Sequence, residues 1–413
     1  MAEFNMNHIS KSKLTDAGVS VLELLELFNV DDDLHKSLLE RLNINDIKND
    51  FIYIKGAKHL VSIQKGINNR FYKEDFVSSL NDIAIYTNDG KLTFSFTNLN
   101  RSDSFSQLGL SSIDAIPKYT TKSDFFSWFY GMDKYASELI KNGLSDILLS
   151  NLDLLRLQKI GGKDRKYRIL QDLNNNQFYV RAIISLDRYN NYDNNITIVI
   201  ALLSLHKRMK ESGIIYALNR IEYNESYIRI FFEDINKKEL KEVGFVKNMI
   251  EVSNDEIKRE ALRFDAISNI EFIDANNEVQ DLIIQPSTKN SKIKTSILSI
   301  KHSAIPKTFV QQLQEIGNSQ KIHDSLFSEI SEISKITNPA QIIFFLKRKV
   351  ELAKNEYIKK HKKNITDILN KQTVTNMIQL LTLFKKIELI TENDIEASEY
   401  IRFVIYESLT NKR

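Results

Sequence analysis

Hydrophobic residues recur with helical spacing near both ends of this chain and with strand-like spacing between them. Residues 12–50 hold a dense apolar stretch from Val19 to Phe28, followed by Leu38, Leu39 and Leu42, which predicts helices. Short runs rich in β-branched and aromatic residues then predict strands at FIYIK (51–55), LVSIQ (60–64), IAIYT (83–87) and KLTFSFT (91–97). The sequence Asn88-Asp89-Gly90 predicts a tight turn that joins the last two runs into a hairpin.

Helical spacing returns over residues 123–157, and Gly161-Gly162 within a charged stretch then predicts a boundary or an exposed loop. Further strands are predicted at YRILQ (167–171), QFYVRAIIS (177–185), IIYAL (214–218) and YIRIFF (227–232). A helix is predicted over 196–209, with Asp193 or Asn194 near its N-cap. After Pro306 the apolar residues follow i, i+3, i+4 spacing to the end of the chain.

These patterns predict an α+β protein with antiparallel sheets and packed helices, followed by an all-helical C-terminal domain. A chain of 413 residues is too long for one ordinary core, so we expect several domains. Their predicted bounds are 1–158 for an N-terminal α+β domain, 159–305 for a central α+β domain with basic and aromatic strands, and 306–413 for the helical domain.

Composition narrows the class of protein without naming a function. The net charge of +3, from 57 Lys and Arg against 54 Asp and Glu, is too small to indicate a nucleic-acid binder by itself. The absence of cysteine excludes disulfides, thiolate nucleophiles and cysteine metal sites. The N-terminus has no apolar signal region, and no window reaches the length of a membrane helix, so we expect a cytoplasmic protein with no membrane partner.

No catalytic signature with a physical rationale stands out. The seven histidines include no H-x-x-x-H pair, Gly161-Gly162-Lys163 lacks the spacing of a phosphate-binding loop, and there is no G-x-S-x-G elbow. We therefore predict no catalytic residues, no metal ligands and no cofactor, and we expect a protein that is not an enzyme. A site for Mg²⁺ built from scattered carboxylates, as in a metal-dependent nuclease, stays open.

Basic and aromatic residues alternate on two of the predicted strands. Tyr179 and Arg181 share one face of their strand, and Tyr227, Arg229 and Phe231 share one face of theirs. If these faces coincide, aromatic rings can stack on unpaired bases while the arginines neutralise phosphates. The alternative is that the aromatic residues pack in the core and the arginines pair with acids such as Glu222 or Glu233.

Positive charge is concentrated in two segments. The first runs from Arg156 to Arg168, and the second holds eight basic residues between 347 and 363, with Glu351 and Glu356 as its acids. This asymmetry favours an anionic partner, nucleic acid rather than membrane, because no amphipathic anchor accompanies it. The predicted nucleic-acid-binding residues are Tyr179, Arg181, Arg188, Tyr189, Tyr227, Arg229, Lys347, Arg348, Lys359 and Lys360.

The central segment, YRILQDLNNNQFYVRAIISLDRYNNYDNN followed by GFVKNMIEVSNDEIKREALRF, resembles the phage/plasmid-like protein family of unknown function. Upstream, FSQLGLSSIDAIPKYTT is similar to another segment of that family. The matching positions, within residues 105–265, are Arg181, Ala182, Ser185, Arg188, Tyr189, Asp193, Asn194, Asn254, Glu256, Ala261 and Leu262. The chain departs from the pattern at Leu186-Asp187, where the family has one residue, at Lys258, where it has glycine, and by lacking a downstream segment with cysteine.

The resemblance implies an origin in a phage, prophage or plasmid, hence a bacterial cell or phage-infected host, and a role in DNA metabolism. We expect a mobile-element accessory protein that binds nucleic acid, preferentially single-stranded DNA, without catalysis. Alanine at Arg181 and Arg229 should then weaken binding and flatten its salt dependence. The alternative is a structural or interaction protein of a phage particle or defence complex, whose C-terminal helices contact a protein partner or a second copy.

Overall fold

The computed structural model describes residues 6–88, 91–99, 103–157, 164–186, 189–257, 260–287 and 293–410. Over these ranges the chain is an α+β protein, as predicted, with antiparallel sheets, packed helices and an all-helical C-terminal region. It divides into two compact units. The first unit is built around residues 63–191, and the second from residues 6–62, 192–256 and 261–410.

The strands form where the sequence concentrates β-branched and aromatic residues. In chain order they are β1 (Asn7–Ser10), β2 (Val19–Ser20), β3 (Phe51–Ile52), β4 (Phe71–Ser78), β5 (Ile83–Asn88), β6 (Lys91–Phe96), β7 (Ile113–Pro117), β8 (Arg165–Asp172), β9 (Gln177–Ile184), β10 (Tyr216–Tyr223), β11 (Tyr227–Leu240), β12 (Gly244–Asp255), β13 (Leu262–Ile273), β14 (Val279–Ile284) and β15 (Ser296–Ile300).

Most helices bury one apolar stripe, as their sequence spacing predicts, whereas the helix Asn194–Ser212 is buried on nearly all sides from Ile196 to Leu203. In chain order they are α1 (Val21–Leu25), α2 (Asp33–Arg41), α3 (Ala57–Arg70), α4 (Asp103–Gln107), α5 (Thr121–Tyr130), α6 (Asp133–Lys141), α7 (Ser145–Leu157), α8 (Asn194–Ser212), α9 (Pro306–Gln312), α10 (Ser319–Ser331), α11 (Pro339–Leu352), α12 (Glu356–Lys371), α13 (Met377–Thr391) and α14 (Ile395–Thr410). Among the described residues, none of these helices has the length and apolar character needed to cross a membrane.

The first unit contains a sheet with the strand order β4-β8-β9-β7-β6-β5. Neighbouring strands are antiparallel except β7 and β9, which are parallel. Its core is rich in aromatic residues: the ring centroids of Phe76 and Phe96 lie 5.1 Å apart, and those of Phe96 and Tyr167 lie 5.0 Å apart. Burying each such side chain contributes roughly 1.5–3 kcal/mol, so this aromatic cluster, covered by α5 and α7, holds the unit together.

The hairpin of β5 and β6 confirms the sequence prediction, because Ile83 pairs with Phe96 and Asn88 with Lys91. The turn residues 89–90 lie outside the described residues. The prediction of a strand at 60–64 is wrong, since this run lies inside α3. A short apolar run fits a helix as well as a strand by periodicity alone. Residues 12–50, predicted to be helical, contain α1 and α2 but also the extended segment β2.

The second unit contains an antiparallel sheet with the order β1-β10-β11-β12-β13-β14, in which β15 also pairs with β13. Helix α8 packs on β12. The predicted N-cap is confirmed: the Asp193 side chain accepts a hydrogen bond from the Ile196 backbone N–H at 2.9 Å. Further along the chain, α10 contacts β13, and α13 and α14 contact β14. The C-terminal helices therefore cover part of this sheet.

These pairings divide the chain differently from the predicted boundaries at 158 and 305. Strand β8 follows the first boundary, yet it pairs with β4 along its whole length, from Phe71 opposite Asp172 to Ser78 opposite Arg165. The helices after the second boundary belong to the same unit as the seven-stranded sheet. An apolar stripe marks a face that becomes buried, but it does not identify the partner, so the sequence could not join these helices to the sheet.

Candidate nucleic-acid interface

Tyr179 and Arg181 lie on β9 of the first unit. Tyr179 is half-buried, with Lys118 Nζ 4.9 Å from its ring centroid, and Arg181 is only 1% exposed. The register of β9 against β8 shifts at this point, which makes Arg181 the extra residue of a β-bulge. A bulge interrupts the alternation of side chains, so a spacing of two residues no longer guarantees that Tyr179 and Arg181 share a face.

Tyr189 lies beside a different arginine, Arg168 on β8. The Arg168 Nη1 donates to the Tyr189 hydroxyl at 3.3 Å, and its Nε donates to Asp75 Oδ1 at 3.0 Å. The guanidinium carbon is 5.2 Å from the centroid of the Tyr189 ring. The tyrosine thus packs on the buried arginine of an ion pair whose aspartate is partly exposed. Arg188, its predicted neighbour in the interface, lies outside the described residues.

Tyr227 and Arg229 lie on β11 of the second unit and are both buried, Arg229 completely. The Arg229 guanidinium is surrounded by carboxylates: Nε is 2.7 Å from Glu251 Oε1, Nη2 is 3.2 Å from Glu399 Oε2 and Nη1 is 4.0 Å from Glu222 Oε2. A buried charge needs such partners, because transfer from water without them is costly. The charge of Arg229 is therefore compensated within the protein.

The structure does not join these strands into one platform. Tyr179 and Arg181 belong to one sheet, and Tyr227 and Arg229 to another. Arg181, Arg229 and Tyr227 are buried, which corresponds to the alternative in which such residues pack inside and pair with acids such as Glu222. The sequence-based interpretation needed one shared, exposed face, and period-two alternation along each strand carries no information on which sheet a strand joins.

Arg229 is part of a larger buried network that fixes the C-terminal helices to the sheet. Arg402 of α14 donates from Nη2 to Glu222 Oε1 at 2.6 Å, and Arg220 of β10 donates from Nη1 to Glu388 Oε1 of α13 at 2.9 Å. All four side chains are almost completely buried. Because the partners come from different elements, the network specifies how α13 and α14 dock, rather than offering charge to an external ligand.

Two carboxyl groups of this network have pKa values that are shifted in opposite directions from their usual value. Burial disfavours the charged form of Glu388, but Arg220 and its other cationic neighbours outweigh burial and lower the pKa to about 2. Burial dominates at Glu251 and raises its pKa to about 7, an effect that Glu399 reinforces. Glu388 is therefore ionised at neutral pH, whereas Glu251 titrates close to it.

Several positions that match the phage/plasmid-like pattern contact one another in the second unit. The Asn194 backbone N–H donates to Glu256 Oε1 at 3.1 Å, and Asn254 Nδ2 donates to Asn194 Oδ1 at 3.0 Å. The same Nδ2 donates to the Tyr192 carbonyl at 3.0 Å. All of these polar groups are buried, so they hold the start of α8 against the end of β12. These buried hydrogen bonds account structurally for the residue types at Asn194, Asn254 and Glu256.

The predicted basic residues of the C-terminal region lie on a pair of contacting helices, α11 and α12. Pro339 at the first turn of α11 fits the helix start, where its missing N–H has no partner to lose. Arg348, Lys359 and Lys360 are exposed, whereas Lys347 is partly covered and donates to Asn370 Oδ1 at 2.8 Å. Segment 339–371 has nine Lys and Arg against three Asp and Glu.

Four of the eight cations between residues 347 and 363 have no partner within the described part of the chain. These four are Arg348, Lys354, Lys360 and Lys363. Their side chains are exposed, and no ion pair or side-chain hydrogen bond joins them to another described residue. Lys359, in contrast, is 2.5 Å from Glu356 Oε1. Unpaired exposed cations keep their full charge available for an anionic partner. We call these four residues and Phe344 the hairpin surface.

Phe344 adds an aromatic ring to this surface. It is 71% exposed and precedes Arg348 by four residues, so both side chains lie on one face of α11, with the 66% exposed Leu352 a further four residues on. Beside them, Phe345, Arg348, Leu352 and Tyr400 help to line a surface cavity of about 430 Å³. Basic and aromatic side chains therefore meet here, on helices, rather than on the strands that the sequence indicated.

The sequence interpretation missed Phe344, although a signal for it exists. Residues 342–346 are five consecutive apolar residues, more than one face of a helix can bury. Ile342 and Leu346 face the core, so the residue midway between them must point outward. Among the described residues, no group of three or more histidine, aspartate or glutamate side chains is arranged to hold a metal ion.

Comparison with known proteins does not assign this chain to a family. No family model matches the chain, and no curated protein matches it. Among solved structures, the crystal structure of the Campylobacter jejuni CmeC outer membrane channel is similar at 10% identity over 99% of this chain and 92% of that chain, with a TM-score of 0.10. A match at this TM-score carries no argument about fold or function, so the residues themselves carry the interpretation.

Proposed function

We propose that this protein is a nucleic-acid-binding accessory protein of a phage or plasmid, acting without catalysis in the cytoplasm of the bacterial cell. The observation that supports it is the hairpin surface, where Arg348, Lys354, Lys360 and Lys363 are exposed and unpaired among the described residues, and where the ring of Phe344, one helical turn before Arg348, is also exposed. The resemblance to the phage/plasmid-like family supports the proposed setting in a mobile element.

The combination of charges and ring favours single strands over duplexes. Exposed lysines and arginines release counterions from a phosphate backbone and bind it without regard to sequence. An exposed aromatic ring can stack on a base only where that base is unpaired, which is worth roughly 1–3 kcal/mol per base. We therefore propose single-stranded DNA as the preferred partner, with RNA and duplex DNA as the comparisons that the experiment must include.

The test is fluorescence anisotropy with labelled single-stranded DNA, duplex DNA and RNA, titrated with the whole chain between about 50 and about 200 mM salt. We expect Arg348→Ala/Lys360→Ala/Lys363→Ala to weaken binding and to reduce the slope of log affinity against log salt by about 2, since each phosphate contact on a single strand contributes about 0.7. Phe344→Ala should weaken binding to single strands while leaving the salt slope unchanged.

The matched control removes the same charge elsewhere on the second unit, at Lys241, Lys301 and Lys321, which are exposed. Both triple variants carry the same net charge, so a general electrostatic effect would weaken binding equally in both. A loss of affinity that is confined to the triple variant of the hairpin surface supports the proposal. Absence of binding by the wild-type chain at low salt, or equal losses in the two triple variants, contradicts it.

A second candidate is an interaction protein of a phage particle or defence complex, and exposed apolar residues of the first unit favour it. On α7, Ile147, Leu154 and Leu157 are 49%, 59% and 80% exposed, and Leu144 just before it is 45% exposed. Exposed apolar patches of this kind commonly mark protein contacts. Size-exclusion chromatography with light scattering tests it: Leu154→Glu should break up an oligomer, whereas a wild-type monomer without a protein partner argues against it.

A further inference from the structure

A cavity of about 540 Å³ lies within the second unit, away from the hairpin surface. It is formed by three stretches distant in sequence: the end of α2 with the turn after it, the last two turns of α8, and the segment from α9 to Gly317. Ligand sites in proteins usually measure about 300 to 1,000 Å³. The cavity is therefore large enough for a small organic molecule.

Arg208 is the unusual residue in the wall of this cavity. It is only 6% exposed, and its hydrogen bonds go to neutral groups: Nε to the Tyr216 hydroxyl at 2.8 Å, and Nη1 to the carbonyls of Ile316 at 2.8 Å and Gly317 at 3.0 Å. Within the described part of the chain it makes no ion pair, and its Nη2 makes no hydrogen bond. Asp234 interacts with Arg208 electrostatically but makes no direct ion pair with it, so Nη2 can still bind an anion that enters the cavity and compensates this buried charge.

The other polar residues of the wall add to the positive charge. Arg41, Lys207 and Lys210 line the cavity with Arg208, whereas Asp46 and Glu211 are its carboxylates. The four permanent cations exceed the two anions, so the cavity carries an excess of positive charge. Arginine forms paired hydrogen bonds with the oxygens of phosphate and carboxylate groups, which suits the chemistry of this wall to such an anion.

Part of the cation set is already neutralised. Lys210 Nζ and His206 Nε2 lie 2.5 Å and 3.1 Å from Asp50 Oδ2, and hydrogen bonds from both groups lower the pKa of Asp50. Lys207 Nζ is 3.8 Å from Glu211, both of them exposed at the rim. The Lys207–Glu211 pair is exposed and therefore weak, so Arg208 at the buried side, with Arg41 and Lys207 at the rim, are the groups best placed to bind an anion.

The remaining wall is apolar. Leu203, Val310 and Leu313 line the cavity alongside the cations. We propose that this cavity binds a small organic anion, with a phosphate or carboxylate group at Arg208 and an apolar or aromatic body against these three side chains. The cavity is separate from the hairpin surface, so the test of anion binding does not depend on whether the protein binds nucleic acid.

The probes are adenosine monophosphate, octanoate, adenosine and inorganic phosphate, each added to the whole chain. Ligand binding to the folded state raises the melting temperature, and calorimetry then gives the dissociation constant. Binding of adenosine monophosphate but not adenosine identifies a phosphate-bearing ligand, and binding of octanoate identifies a carboxylate. If neither anion binds, or if adenosine binds as tightly as its monophosphate, the proposal is overturned.

Two variants locate the binding. Arg41→Ala/Lys207→Ala removes exposed rim cations, so it should fold normally and weaken anion binding by about tenfold or more, because charge-assisted hydrogen bonds are lost. The control Lys241→Ala/Lys321→Ala removes equal charge outside the cavity and should bind like the wild type. Arg208→Met, if it folds, should abolish binding. Equal affinity in the rim variant and the wild type would place the anion elsewhere and reject the site.

Discussion

Replacing Arg229 by methionine tests the view that this residue is structural rather than a contact to nucleic acid. Methionine keeps much of the side-chain volume but removes the charge from a position that is completely buried. Glu222, Glu251 and Glu399 then lose their common cation, which lies within 4.0 Å of each of them. Breaking a buried ion pair from one side typically costs about 3–5 kcal/mol, since it leaves charge uncompensated.

A loss of this size is a large share of the roughly 5–15 kcal/mol by which native proteins are stable. Its pH dependence has a definite sign. Without Arg229, the folded-state pKa values of Glu222 and Glu251 rise, so keeping these groups ionised costs stability as pH increases. We therefore expect Arg229→Met to lose more stability at about pH 8 than at about pH 5, where protonation relieves the repulsion.

Urea denaturation followed by far-UV circular dichroism measures this loss, because the single tryptophan, Trp128, lies in the first unit and does not report on the second. Arg348→Met is the matched control: the residue is exposed, so its loss should change the free energy of unfolding by no more than about 0.5 kcal/mol. Wild-type stability of Arg229→Met at pH 8, or a larger loss at pH 5, would refute the reasoning.

Three further predictions concern single residues of the second unit. The pKa of Glu251 is raised to about 7 in the folded protein, so ionisation of this group costs the wild type stability as pH rises. Glu251→Gln lacks this group, so its free energy of unfolding relative to that of the wild type should increase by roughly 3 kcal/mol from about pH 4 to about pH 8, as measured by urea denaturation. Asp193→Ala removes the N-cap bond of α8 and should cost about 1 kcal/mol in the same assay. Gly244 has φ +151°, and a Cβ there would lie 2.2 Å from the Glu271 carbonyl oxygen, so Gly244→Ala should cost roughly 1–3 kcal/mol and lower the melting temperature.

Much of the secondary structure follows from local pattern. The hairpin of β5 and β6, the helix that begins after Asp193 and the helices beyond Pro306 were all readable, because each has a strong period and a local start or stop signal. The error at residues 60–64 has the opposite cause. A five-residue apolar run is too short for its period to separate a helix from a strand.

The candidate site was only partly readable. The basic segment at 347–363 is evident in composition, and three of its four predicted residues, Arg348, Lys359 and Lys360, are exposed. The basic residues on the strands, in contrast, did not indicate where an exposed binding surface lies. A basic residue in a strand has the same sequence signature whether it faces solvent or, as Arg229 does, a partly buried carboxylate from a helix 170 residues away.

The sequence by itself determined the α+β class, the order of most elements and the place where positive charge accumulates, since each of these depends on residues close together in the chain. Only the tertiary structure decided that β8 joins β4, that Arg220 and Arg402 meet Glu388 and Glu222, and that distant segments enclose a cavity around Arg208. Contacts between distant segments depend on which surfaces are complementary after folding, and the local spacing of residues does not record that choice.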